Sequence, residues 1–281
     1  MKKSRFSQQG TLLVALTSAQ GLLAPYAFAV TSDYIIYAPQ AEIPISSSFN
    51  LVHITQQGSA TSSGGTALDI AQGVTLTTFD NDGSITTENG DINTTALFGL
   101  NNQGTIVTLD NAGSIKITGN NVNSSSNAIN LTSTSNVGTL INSGTISGQE
   151  SIYYDSNTGY TQGGGIANSG TLGTLKNELT GIISGRTGVN NSGNIDRLEN
   201  AGKISSNNNN INGNYCCNSS AVIYNSGTIN TLHNTGIITN ATENSYVYSD
   251  SGIYNTYPGV INTLTNDGKI SGAYYGIYNI G

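Results

Sequence analysis

Few residues in this chain are of a type that does chemistry. It carries two histidines, two cysteines and 16 acidic side chains among 281 residues. His53 and His233 are remote in sequence, and His233 stands at a repeat position that Asp110, Lys176, Glu199 and Thr265 fill in other copies. That is how an outward, unconstrained position behaves. Serine is abundant, yet no Gly-x-Ser-x-Gly elbow occurs with a partnered acid and base. Asp196, Arg197 and Glu199 form the nearest charged cluster. Adjacent strand residues alternate between faces, so they are not expected to supply the paired carboxylates of a glycosidase. The run "GGG" at 163–165 lacks the Asp of calcium-binding nonapeptides, and no His or Cys spacing suits zinc. The reading is therefore a protein with no catalytic residues, no cofactor and no metal site. Cys216 and Cys217 are adjacent, and three fates are open to them: a vicinal disulfide, pairing with another molecule, or free thiols.

What remains is tyrosine, of which there are 15, with no tryptophan. Tyr153, Tyr154, Tyr160, Tyr215, Tyr246 and Tyr248 lie among Ser, Asn and Gly, in segments at roughly 149–164, 205–221 and 240–251. Tyr274 and Tyr275 sit in a shorter equivalent. Tyr offers large contact area at low entropy cost, while Ser, Asn and Gly adapt to a partner. These eight tyrosines are the candidate binding residues; the competing reading is a polar spacer with incidental Tyr. Tyr224, Tyr254 and Tyr278 recur at one outward repeat position, where stacking between neighbours explains them without a ligand.

The elements that would position these side chains follow from a repeat. The pattern is Ile-x-Asn-x-Gly-x-Ile-x-x-Leu-x-Asn-x-Gly-x-Ile-Ser/Thr-Gly, as in "IYNSGTINTLHNTGIIT" from Ile223 and "VNNSGNIDRLENAGKIS" from Val189. The first Asn, or its substitute, falls at Asn102, Ser133, Asn168, Asn191, Asn225, Asn255 and Asn279. The minimum spacing, near 23 residues, suits one coil of three short strands and their turns, and the prevalence of Asn, Gly, Thr and Ser argues against helix. The fold class expected is all-β, a parallel β-helix of seven to eight coils. Within a coil, Ile223, Asn225 and Gly227 should face inward and Tyr224 and Ser226 outward. Asn and Gly suit the corners because they tolerate left-handed backbone angles. Stacked at about 4.8 Å, the Asn amides can hydrogen-bond from coil to coil, so ladders are expected at both Asn positions. A lone coil is not expected to be stable, because its apolar faces and strand edges need neighbours. The length differences collect between Ile-Ser/Thr and the next Ile-x-Asn, which places them along one edge of the rod.

The N-terminus reads differently. Lys2, Lys3 and Arg5 precede an apolar stretch ending at Ala27-Phe28-Ala29, the form of a secretory signal peptide over 1–29. Thr17, Ser18, Gln20 and Pro25 interrupt the run, which argues against a membrane span, and no later segment is long and apolar enough for one. Removing Lys2, Lys3 and Arg5 leaves six cations against 16 acids, a net charge of −10. This disfavours nucleic acid and anionic membrane surfaces as partners. Residues 30–70 have strand character in "DYIIY" and "FNLVHIT" but break the register, so they read as an N-terminal cap or irregular strand segment. The β-helix is assigned to 71–281. Because the chain ends at the beginning of another copy, "YNIG" from Tyr278, the stack reads as truncated.

A signal peptide followed by Gly-x-Ile-x-x-Leu-x-Asn-x-Gly-x-Ile-Ser-Gly coils resembles the passenger region of bacterial autotransporters of the self-assembling adhesin type. The resemblance covers about 71–281. It implies a right-handed β-helix, export through the periplasm, passage through a C-terminal outer-membrane β-barrel, and display at the cell surface or outside the cell. Scarce, closely placed cysteines are usual in such passengers, which Cys216-Cys217 matches, and a loop disulfide made in the periplasm is the fate this favours. This chain contains no barrel segment of its own. The implied function is non-enzymatic adhesion or cell aggregation, with a surface receptor, a glycan or another copy of the chain as partner. The alternative is a structural stalk that presents an effector or enzyme domain.

Overall fold

The computed structural model describes residues 32–88, 96–118, 126–148, 164–206, 221–240 and 251–281. Alternating Ile, Leu or Val with Thr, Ser or Asn makes short strands, and the Asn-x-Gly corners end them. One complete coil consists of Thr228–Asn234, Ile237–Asn240 and Ser251–Asn255. Every third strand joins the same sheet, so among the described residues 27 strands build three parallel sheets of nine strands each. The molecule is a parallel β-helix of nine coils, about 40 Å along its axis at the usual strand spacing.

The excess over the expected seven to eight coils comes from the N-terminal segment. Strands from Asp33–Ile36 to Thr66–Ile70 pair in parallel with the rest, through Asp33↔Leu51, Leu51↔Thr78 and Leu68↔Leu100. As far as it is described, the segment 30–70 forms the first two coils and keeps the register. Its membership was hidden because Ile54 and Ile70 stand opposite Asn81 and Asn102, in columns that later coils fill with asparagine. Residues 1–29 lie outside the described residues.

The core is a set of vertical columns. Phe79, Leu109, Leu140, Leu175, Leu198 and Leu232 stack in the first sheet, with Leu76, Ile106, Val137, Leu172, Ile195 and Ile229 beside them; all are buried. Ile85, Ile115, Ile146, Ile183, Ile204 and Ile238 line the second sheet. Like side chains fall over like side chains, so each coil offers the next a matching apolar surface. Ile229 and Leu232, three residues apart, are both buried because Asn230 and Thr231 between them both face outward within one continuous strand.

Both Asn positions form ladders. At the corner from first to second sheet, Asn81, Asn111, Asn142, Asn177, Asn200, Asn234 and Asn266 join through Nδ2–H···Oδ1 bonds of 2.7–2.8 Å. At the corner from third to first sheet, Asn168, Asn191, Asn225, Asn255 and Asn279 do the same. The backbone joins in: the amides of Ser226 and Gly227 both donate to the Asn191 carbonyl. Each ladder begins on an orphan. Asn81 and Asn168 have a buried Oδ1 without a hydrogen-bond partner, because Ile54 and Leu131 stand opposite them in the preceding coil.

Two expectations at these corners need correction. Ser133 is not the substitute for the first Asn; Leu131 is, in register with Asn102 and Asn168. Asn102 turns instead to Ser135 Oγ at 2.8 Å. Nor is glycine needed here for left-handed angles, since the positive-φ positions among the described residues are Glu42 and Gly73. It is needed for closeness. A methyl group at Gly227 would collide with the Gly193 carbonyl oxygen, one at Gly193 with Gly170 O, and one at Gly236 with Gly202 O.

Candidate functional site

The two corners held by ladders keep nearly constant length. Their longer connections are four residues, at 55–58, 71–74, 132–135, 178–181 and 256–259, the last containing a cis Tyr257–Pro258 bond. The third corner, from second to third sheet, has no such ladder among the described residues and takes the variation. Its connection is Arg186 alone in one coil, but residues 148–163, 207–220 and 241–250 in others. The described strand ends thus place the variable segments at one corner, as the sequence predicts. Tyr153, Tyr154, Tyr160, Tyr215, Tyr246, Tyr248, Cys216 and Cys217 lie in these segments, outside the described residues.

Tyr274 and Tyr275 are described. Tyr274 lies in the short connection at that corner and is exposed, as expected. Tyr275 opens the strand Tyr275–Asn279, in a column that holds buried Ala221 and Ser251 in earlier coils. Its ring stacks on Tyr278 at 5.1 Å between centroids. Tyr278 stacks on Tyr254 at 5.2 Å, and Tyr254 meets Tyr224 edge to face at 5.5 Å. The outward column and the corner therefore share one aromatic row of four rings. Burial, and then Tyr254, push the Tyr224 phenol above its ordinary pKa. The column carries Asp69, Asn101 and Asn130 in earlier coils, joined by amide hydrogen bonds of 2.7 Å. Its surface changes from polar to aromatic along the rod.

On the outer face of the first sheet the structure assembles a group that sequence spacing did not reveal. His53, Asp80, Asp110, Ile141, Lys176, Glu199, His233 and Thr265 form one column in consecutive coils. His53 Nε2 lies 3.1 Å from Asp82 Oδ2 and 3.6 Å from Asp80 Oδ2. Burial, followed by the charges of Asp82 and Asp110, holds the Asp80 carboxyl above its usual pKa, with His53 opposing. Asp110 is raised as well, by burial and then Asp82. These are oxygen and imidazole donors of the kind a metal accepts. The expectation of no metal-ligating spacing missed them because His53 and Asp80 become neighbours only through the register of two coils.

His233, read as unconstrained, is half-exposed and bonds Asp267 Oδ2 at 3.1 Å. Further along the column Lys176 pairs with Glu178 at 2.6 Å, and that hydrogen bond raises its pKa. Asp196, Arg197 and Glu199 do not alternate between faces. The double outward step puts Asp196 and Arg197 on the same side, Arg197 pairs with Glu199, and Asp196 accepts from Asn194 and Asn230.

No protein-family model, no curated protein and no solved structure matches this chain, so its functional reading rests on the repeat and its geometry.

Proposed function

We propose that this chain is the β-helical passenger of a bacterial autotransporter, exported through residues 1–29 and acting at the cell surface, without catalysis, in adhesion or cell aggregation. The observation that carries the reading is the row Tyr224–Tyr254–Tyr278–Tyr275, which leads to the corner where the length differences collect. Flat, amphipathic rings on a rigid sheet give contact area without an ordering cost. A glycan, a protein receptor or another copy of the chain would meet that surface. The low charge and net acidity of the mature chain suit such a neutral, polar contact better than nucleic acid.

The test replaces Tyr254, Tyr275 and Tyr278 with Ser in the protein displayed on cells and measures binding to host cells and self-aggregation. Adhesion should fall while the far-UV spectrum stays the same; unchanged adhesion with a folded rod would reject the reading. A stalk is the second possibility, favoured by the ladder that runs unbroken from Asn81 to Asn266. A stiff spacer needs no contact surface, so in that case the tyrosine variant keeps full function.

A further inference from the structure

We propose that His53, Asp80 and Asp82 form a binding site for a divalent metal ion of the zinc class, with His53 Nε2 and one oxygen from each carboxylate as ligands. The three donor atoms all lie within 4.8 Å of one another. Zinc bound at about 2.1 Å requires neighbouring ligands to stand about 3.0–3.4 Å apart, in octahedral or tetrahedral arrangement. Of the separations from Nε2, the 3.1 Å to Asp82 falls within that edge length and the 3.6 Å to Asp80 stands 0.2 Å beyond it. Three protein ligands leave further positions for water or a partner's donor. The nitrogen matters for selectivity: calcium and magnesium favour all-oxygen shells, whereas imidazole with carboxylate suits zinc and its transition-metal neighbours.

The surroundings point the same way. Among the described residues, His53 is the ion-pair partner of both Asp80 and Asp82, and Asp110 stacks on Asp80 in the next coil. One imidazole brings at most a single positive charge to three adjacent carboxylates, whereas a divalent ion brings two. The three ligands come from two coils and are fixed by the register, with His53 and Asp80 on neighbouring strands of one sheet and Asp82 at the Asn81-x-Gly83 corner.

The chain also contains its own comparison. His233 and the corner residue Asp267 repeat the His53–Asp82 geometry at the same 3.1 Å. The register position of Asp80 is there occupied by Thr265, which leaves two ligands where the first site has three. His53 should bind the ion and His233 should not.

The experiment titrates zinc chloride into the mature full chain by calorimetry, with imidazole NMR signals assigning the site. One equivalent should bind with the His53 signals shifted and those of His233 unmoved. Asp80→Asn should weaken that binding at least about tenfold, the lower bound seen even for outer-shell partners. Thr265→Asp, at an exposed position, should add a second equivalent that shifts His233. Any of three results overturns the proposal: no binding at His53, unchanged affinity in Asp80→Asn, or no gain in Thr265→Asp. Should Asp80→Asn fail to fold, Thr265→Asp decides alone. Zinc held by Cys216 and Cys217 would survive Asp80→Asn and leave His53 unshifted, and so counts against the site.

Discussion

Replacing Asn200 with alanine removes a middle rung of the longer asparagine column, and the structure sets the size of the loss. The Asn200 side chain is buried. It accepts from Asn177 Nδ2 at 2.8 Å, and it donates to Asn234 Oδ1 at 2.7 Å and to the carbonyls of Gly202 and Ile237 at 3.3 and 3.2 Å. After truncation Asn177 Nδ2 still has the carbonyls of Gly181 and Lys203. Asn234 Oδ1 has no other donor in the ladder and becomes a buried orphan. An unsatisfied buried acceptor costs about 1–3 kcal/mol, and each of the two amide–amide bonds contributes about 1 kcal/mol net. The sum, about 3–5 kcal/mol, corresponds to a fall in Tm of about 10 °C for a chain of this size. Because each coil rests on its neighbours, protection from hydrogen exchange should weaken in the coils on both sides of the substitution. Thermal unfolding and exchange, with exposed Thr263→Ala as control, provide the measurement. A Tm within about 1 °C of wild type, with unchanged protection, would show that the amides do not hold the coils together.

Other substitutions test other parts of the same reasoning. Gly227→Ala forces a methyl group against the Gly193 carbonyl and should cost at least about 2 kcal/mol. Gly64→Ala, which meets open space, should change stability by no more than about 0.5 kcal/mol; equal effects in thermal unfolding would remove the close-stacking explanation of glycine. Leu131→Asn gives the orphan Asn168 Oδ1 a donor and continues the ladder. The gain of about 1–3 kcal/mol should offset the roughly 2–3 kcal/mol lost with buried leucine. Chemical denaturation should therefore find a change under about 1 kcal/mol, and a loss above about 3 kcal/mol would mean that the column does not accept another amide there.

The architecture was legible in the sequence because one position on a coil is one place in space. Asn191, Asn225 and Asn255, read as recurring marks, lie directly over one another, and the largest length differences fall at one corner. Legibility failed where the marks were absent. Ile54 and Ile70 concealed the first two coils, and Leu131 shifted the apparent substitute to Ser133. A left-handed preference was the wrong cause for glycine, since a sequence shows that glycine is required but not whether angle or space requires it. The tyrosine row was half visible. The column Tyr224, Tyr254, Tyr278 recurs in register, but the stacking of Tyr275 on Tyr278 depends on ring directions that spacing does not contain. His53, Asp80 and Asp82 belong to different strands and corners, and no motif within one strand joins them.

Hydrogen exchange of the asparagine side-chain amides, followed residue by residue by NMR, tests most directly that stacked amides bind one coil to the next. The Nδ2 protons of Asn177, Asn191, Asn200 and Asn225, buried in the ladders, should exchange orders of magnitude more slowly than those of Asn262, which is exposed. Exchange of the ladder amides at the rate of Asn262 would contradict the account.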